Sequence, residues 1–134
     1  MVPGGLLAPL EAMAALKRAL VVDDDDPIRT LLSTIIERND FDVETAKDGA
    51  EAIERIADDG YDVILLDLMM PRVDGYSVLE YMREHKPELL ERTIVASAVS
   101  HVEVLSRFPN LACRVHMKPF DVTALLNDVR VCAA

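Results

Sequence analysis

Apolar residues fall along this chain in two alternating periods. Ala19-Leu20-Val21-Val22 is an unbroken apolar run, the pattern of a strand covered on both faces. It gives way to Asp23-Asp24-Asp25-Asp26-Pro27, where acidic residues and a proline suit the first turn of a helix. Ile28, Leu31, Leu32, Ile35 and Ile36 then recur at helical spacing and define one apolar face. Phe41, Val43 and Thr45 alternate with Asp42 and Glu44, as in a half-buried or edge strand.

The beat repeats. Asp48-Gly49 opens a helix with Ala52, Ile53 and Ile56 inward, stopped by Asp59-Gly60, and Val63-Ile64-Leu65-Leu66 is a second buried strand. After Pro71 and Gly75 a helix carries Val78, Leu79 and Met82 and ends near His85, before Pro87. Thr93-Ile94-Val95-Ala96 predicts a fourth strand and Arg114 to Met117 a fifth. Between them lies a short helix, Val102 to Phe108, stopped by Pro109-Asn110, and a last helix holds Val122, Leu125, Leu126 and Val129. Five strands alternating with helices predict an α/β fold, a doubly wound parallel sheet with helices on both faces and right-handed crossovers. In such sheets function sits at the carboxyl ends of the strands, beside a switch in strand order.

Composition narrows the classes of partner. The chain has 134 residues, 51% of them hydrophobic and 28% charged, enough for one globular domain with a core. With 14 Lys and Arg against 24 Asp and Glu the formal net charge is -10, which repels phosphate backbones and argues against a nucleic-acid partner. Residues 1–17 read as an N-terminal extension: a helix from about Leu10 to Lys17, a tag or an upstream start. Pro3, Gly4, Gly5 and Pro9 interrupt its apolar stretch and Glu11 is its one charge before Lys17, so it resembles neither a signal peptide nor a membrane span. Cys113 and Cys132 lack metal-ligand or CxxC spacing and read as reduced thiols of a cytoplasmic protein.

The predicted strand ends carry the chemistry. Asp23 and Asp24 follow the first strand and Asp67 the third, while Ser97 ends the fourth and Lys118 follows the fifth. Crowded carboxylates repel one another unless a cation lies between them, and a hard divalent ion, Mg²⁺ first, meets that need. A carboxylate is also a nucleophile toward phosphorus. A serine hydroxyl and a lysine ammonium would then hold the phosphoryl oxygens.

Three stretches carry a resemblance: Leu20-Val-Val-Asp-Asp-Asp-Asp-Pro-Ile-Arg29, Tyr61-Asp-Val-Ile-Leu-Leu-Asp-Leu-Met-Met-Pro71 with Asp74-Gly75, and Met117-Lys-Pro-Phe120. In this order and at these separations, residues 18–132 resemble the receiver domain of two-component response regulators, of the chemotaxis-regulator type. The resemblance implies a flavodoxin-like five-stranded sheet of order 2-1-3-4-5. It implies that Asp67 is the phosphoacceptor, that Asp24 ligates Mg²⁺ directly and Asp23 through water, and that the Met69 carbonyl completes the protein's ligands. It further implies that Ser97 and Lys118 bind the phosphoryl group, and that the Lys118-Pro119 bond is cis, a form tolerated before proline.

Plainer readings stand beside these roles. Asp25 and Asp26 read as helix N-terminal charge, and the acidic run lacks the glycine and glutamate of an EF-hand. Asp67 read alone is a strand-end cap and Ser97 a core hydroxyl. Asp74-Gly75 reads as turn chemistry. His85 and His101 read as solvent-facing, and His116 as an edge-strand residue with a wet imidazole rather than a pH sensor. Val115 stands where the family carries an aromatic residue that moves on phosphorylation, so that route of transmission is in doubt here. Met69 and Val99 line the family's path for hydrolytic water, and both are apolar, which implies slow loss of the phosphoryl group.

The functional expectation is a stand-alone receiver, relay or adaptor, or a piece of a longer regulator or hybrid kinase. It accepts phosphoryl groups from a histidine kinase or histidine phosphotransfer protein. It signals by a shift in conformational populations rather than by catalytic turnover. Donor docking is expected around Ile28 and Leu32 and the loop after Pro119. Partner or homodimer contacts are expected on the last two helices and strand five. Two competitors are a phosphorylation-independent interaction module, favoured by Val115, and a Mg²⁺-dependent phosphatase using Asp23-x-Asp25.

Overall fold

A computed structural model of the chain describes residues 16–58, 60–70, 72–109, 115–119 and 121–134. Asp59, Pro71, Asn110, Cys113, Arg114 and Phe120 lie outside the described residues, as does all but the end of the N-terminal extension. At that end Lys17 is already in a strand, where the sequence predicted the last turn of a helix. The elements run β1 (Lys17–Val22), α1 (Asp26–Glu37), β2 (Phe41–Ala46), α2 (Gly49–Asp58), β3 (Val63–Leu66) and α3 (Gly75–His85). A 3₁₀ turn (Pro87–Arg92), β4 (Thr93–Ser97), α4 (His101–Arg107), β5 (Val115–Met117) and α5 (Val122–Ala133) complete the order. The strands form one sheet in the order β2-β1-β3-β4-β5, and every pairing is parallel. Among the described residues no helix is long and apolar enough to cross a membrane.

Strand parity explains the two cores. Leu20, Val22, Ile64, Leu66 and Val95 point to one face, where Ala52 and Ile56 of α2, Leu79 and Met82 of α3 and Val104 of α4 cover them. Their alternates Ala19, Val21, Val63, Leu65 and Ile94 meet Leu32 and Ile36 of α1 and Leu125 and Val129 of α5. The central strands must therefore be apolar at every position, because both faces are covered. Each large aliphatic side chain so buried contributes about 1.5–3 kcal/mol.

Helix starts follow the polar punctuation. Asp25 caps α1 by accepting from Ile28 N–H (3.1 Å). Asp74 caps α3 through Ser77 N–H (3.0 Å), and Asp121 caps α5 through Thr123 N–H (2.8 Å). On α1 the apolar face is narrower than its five-residue pattern implied. Leu32 and Ile36 are buried while Leu31 is 52% exposed, since a step of three residues from Ile28 turns past the sheet-facing line that a step of four keeps.

Edge strand β2 keeps Phe41 and Ala46 inward and Asp42 outward. Glu44, expected at the solvent face, is half-buried instead. It bonds the Arg18 guanidinium and Tyr61 Oη (2.8 Å), and Arg18 lies over the Tyr61 ring (5.1 Å). This cluster closes the amino end of the sheet, opposite the functional edge.

Candidate functional site

Three site residues sit one position beyond a strand, each pinned by a main-chain bond to its neighbouring strand. Asp23 N–H donates to Ala46 O at the end of β2 (3.2 Å), and Asp67 N–H to Val22 O at the end of β1 (3.0 Å). Lys118 N–H donates to Ser97 O at the end of β4 (2.9 Å). The parallel register thus carries on for one residue past the sheet and delivers two carboxylates and an ammonium to one edge. The Lys118-Pro119 bond is cis.

The side chains converge. Lys118 Nζ lies 3.0 Å from Asp23 Oδ2 and 3.2 Å from Asp67 Oδ2. The other oxygens take main-chain donors: Asp23 Oδ1 accepts from Asp25 N–H (2.9 Å) and Asp67 Oδ1 from Met69 N–H (3.0 Å). Asp23 and Asp67 are 2% and 4% exposed. Asp24 is exposed beside them, and one carboxylate oxygen from each of Asp23, Asp24 and Asp67 falls within 4.8 Å of the others. Ser97 is fully buried at the end of β4, and its Oγ has no hydrogen-bond partner among the described residues, whereas buried hydroxyls are ordinarily paired.

Electrostatics say what the pocket lacks. Burial pushes the Asp23 carboxyl above the usual carboxylate range and the charge of Asp67 adds to this, outweighing the Asp25 N–H and Lys118. Burial works to lower the Lys118 ammonium, yet its bond to Asp23 and the charges of both carboxylates raise it overall. Both groups hold protons more tightly than normal, and three carboxylates share the site with one ammonium, a deficit of positive charge. A hard divalent cation fits that deficit and that oxygen donor set.

Several expectations change. Asp74-Gly75 is more than a turn: a Cβ on Gly75 would lie 2.4 Å from Asp67 O and 2.5 Å from Leu68 Cα, so α3 begins pressed against the backbone of Asp67. Asp25 caps α1 through Oδ1 and lies outside the carboxylate group formed by Asp23, Asp24 and Asp67. His116 is not wet: its Nε2 lies 2.6 Å from Asp128 Oδ2 of α5, with both side chains largely buried. His85 is exposed as expected, its Nδ1 3.1 Å from Tyr81 O. Val115 packs against the core beside α4. Sequence reasoning also missed Arg29, whose Nη1 donates to Asp23 O (2.8 Å); its place in the first motif was the available signal.

The sequence model of the response regulator receiver domain matches residues 19–130. Regulatory protein AtoC of Escherichia coli is 36% identical over 116 residues, 84% of this chain and 24% of its own length. Transcriptional regulatory protein SrrA of Staphylococcus aureus is 48% identical over 67 residues, 50% of this chain and 28% of its own. The chain therefore spans only about a quarter of these relatives. Among solved structures, the receiver domain of Francisella response regulator 1452 superposes with a TM-score of 0.78 at 32% identity, covering 87% of this chain and 96% of that one. Response regulator TrrA of Thermotoga maritima, in complex with Mg²⁺-BeF, gives a TM-score of 0.76 at 31% identity, covering 87% of this chain and 99% of that one.

Proposed function

Because the chain belongs to the response regulator receiver domain family of two-component systems, a family of signalling domains rather than of classical enzymes, we propose that Asp67 is its phosphoacceptor. An Asp67 carboxylate oxygen attacks the phosphorus of a phosphohistidine on a kinase or phosphotransfer protein. The new O–P bond forms as the N–P bond breaks, and the imidazole leaves with the electron pair. Asp23, Asp24 and the Met69 carbonyl, with Asp67 itself, would hold Mg²⁺. The ion would neutralise phosphoryl charge as it transfers.

The observation that carries this reading is the buried, unpartnered Ser97 Oγ at the same strand edge as a buried carboxylate bonded to Lys118. Lys118 offers a charge and Ser97 a donor to the phosphoryl oxygens. Binding that group would reorder the Ser97 and Lys118 loops and shift the population of surface conformations that a partner reads.

Exposed Val102 and Leu105 of α4, Met117 of β5 and Val131 of α5 support partner or homodimer contacts on that side of the molecule. Donor docking on α1 falls to Leu31 rather than Leu32, which is buried. The protein works in the cytoplasm on this reading, where kinase donors and Mg²⁺ are available. Val115, with no ring to move, favours a second reading as a phosphorylation-independent interaction module, for which partner binding would survive Asp67→Asn.

Intact mass after incubation with Mg²⁺ and acetyl phosphate tests the first reading. One added phosphoryl group, absent without Mg²⁺ and absent in Asp67→Asn, is the expected result. No addition from acetyl phosphate or from a panel of phosphorylated kinases would refute it.

A further inference from the structure

Asp23 is held at every polar position it possesses. Its N–H donates to Ala46 O, its Oδ1 accepts from Asp25 N–H and its Oδ2 from Lys118 Nζ. Its main-chain carbonyl is the fourth, and that one is taken by a side chain: Arg29 Nη1, at 2.8 Å. Arg29 in turn is fixed by Asp26, which its Nη2 engages one helical turn away on α1. The Arg29 side chain is 18% exposed, so this fork is held close to the body of the protein.

We propose that Arg29 is a positioning residue for the divalent-cation site, clamping the Asp23-Asp24 loop so that its carboxylates are presented before the ion arrives. The proposal rests on the reading of Asp23, Asp24 and Asp67 as cation ligands. Two physical effects of Arg29 oppose each other. Its positive charge near three carboxylates repels a divalent ion, while its hydrogen bond fixes the loop that carries two of them. Three arguments favour the second effect. The guanidinium donates to a carbonyl rather than to the ligating oxygens, so it does not compete with the ion for them. Its charge is already partly cancelled by Asp26. Outer hydrogen-bond partners that orient ligands commonly control affinity by tenfold or more.

Mg²⁺ binding measured by isothermal titration, without any phosphodonor, separates the two effects. Arg29→Gln is expected to weaken Mg²⁺ binding about tenfold. Arg29→Lys keeps the charge but has one ammonium for two partners, and is expected to weaken binding about threefold, a scale taken as part of the same outer-partner effect. Phosphorylation by acetyl phosphate should need correspondingly more Mg²⁺ for half-maximal rate, with the rate at saturating Mg²⁺ within about twofold of the unmodified chain if orientation alone is lost. The melting temperature of the metal-free variants reports whether the fold is intact. Equal or tighter Mg²⁺ binding by Arg29→Gln overturns the proposal, as does unaltered binding by Arg29→Lys should the glutamine variant fail to fold. An unmodified chain that binds no Mg²⁺ overturns the cation-site reading itself, and the positioning role with it.

Discussion

The α-carbon of Gly75 stands so close to the main chain of Asp67 that a single added methyl group would meet the Asp67 carbonyl oxygen at 2.4 Å. Gly75 N–H also donates to Leu68 O (3.1 Å), so the start of α3 and the end of β3 form one unit under the acceptor. No positive φ is involved, since none of the described glycines has one; the requirement is space. Gly75→Ala must move backbone, and is expected to cost about 1–3 kcal/mol and to slow phosphorylation of Asp67. Gly60→Ala, where a Cβ meets nothing within 4 Å, should be neutral or stabilising by roughly 0.4–1 kcal/mol. Chemical denaturation of the pair decides the matter, and equal stabilities would contradict the close-approach argument.

Removing the charge of Asp23 should make the metal-free protein more stable while abolishing its response to Mg²⁺. The sign follows from the raised pKa. The folded state binds the Asp23 proton more tightly than the unfolded chain, so this group's contribution is fully present below the unfolded value of 3.8 and is lost as pH rises through the higher folded value. The advantage of Asp23→Asn over the unmodified chain should therefore be small in strong acid and grow as pH rises through the folded value. Thermal melts across pH with a chelator measure it. A variant less stable at pH 7 would show that the lost bond to Lys118 outweighs relief of burial.

Ser97→Ala should separate stability from signalling. The Ser97 hydroxyl is buried without a partner among the described residues, so its deletion is expected to be neutral or to stabilise by up to about 1 kcal/mol. The same change should impair the response to phosphorylation, read as amide chemical-shift changes in α4 and β5 on addition of Mg²⁺ and beryllofluoride. Shifts identical to those of the unmodified chain would remove Ser97 from the site.

Dephosphorylation gives a fourth test. Met69 is exposed beside Asp67 and Val99 is buried, so a polar side chain is better tolerated at the first position. Met69→Asn should speed loss of the phosphoryl group by orienting water with its amide, severalfold rather than the 10²–10⁴ of a dedicated general base. Radiolabel decay at fixed Mg²⁺ measures it, and unaltered or slower decay would dissociate Met69 from the path of water.

Much of this was legible in the order of residues because buried parallel strands leave so little choice. Val63 to Leu66 reads as a covered strand between turn signals, and the first acidic residue beyond it had to emerge at the carboxyl edge of the sheet. Asp23, Asp67, Ser97 and Lys118 were accessible to sequence reasoning for that reason. What escaped it depends on contacts between elements distant in the chain. The narrow space at Gly75 exists only once α3 folds back over β3. The pairing of His116 with Asp128 needs α5 to settle over β5. Glu44 looked like an outward residue of an edge strand until Arg18 and Tyr61 closed around it. Leu31 fits a helical apolar pattern as well as Leu32 does, and only the angle at which α1 meets the sheet decides between them. Arg29 sat in plain view inside a motif, but its partner is a main-chain carbonyl, which carries no letter in a sequence.

The strands that bear the site differ in how firmly they are anchored. β1 lies inside the sheet, with its last four residues buried, whereas β5 lies at the edge and none of its described residues, Val115–Met117, is buried. The two carboxylates are therefore mounted on the part of the molecule that opens last, and Lys118 on a part that can open alone. Hydrogen exchange should show it: amides of Met117 and Lys118 exchanging through local opening, those of Val21 and Val22 only through global unfolding. In that case Lys118 is the latch of the site and the acids are its frame, and a partner gripping β5 could loosen the lysine without disturbing the carboxylates.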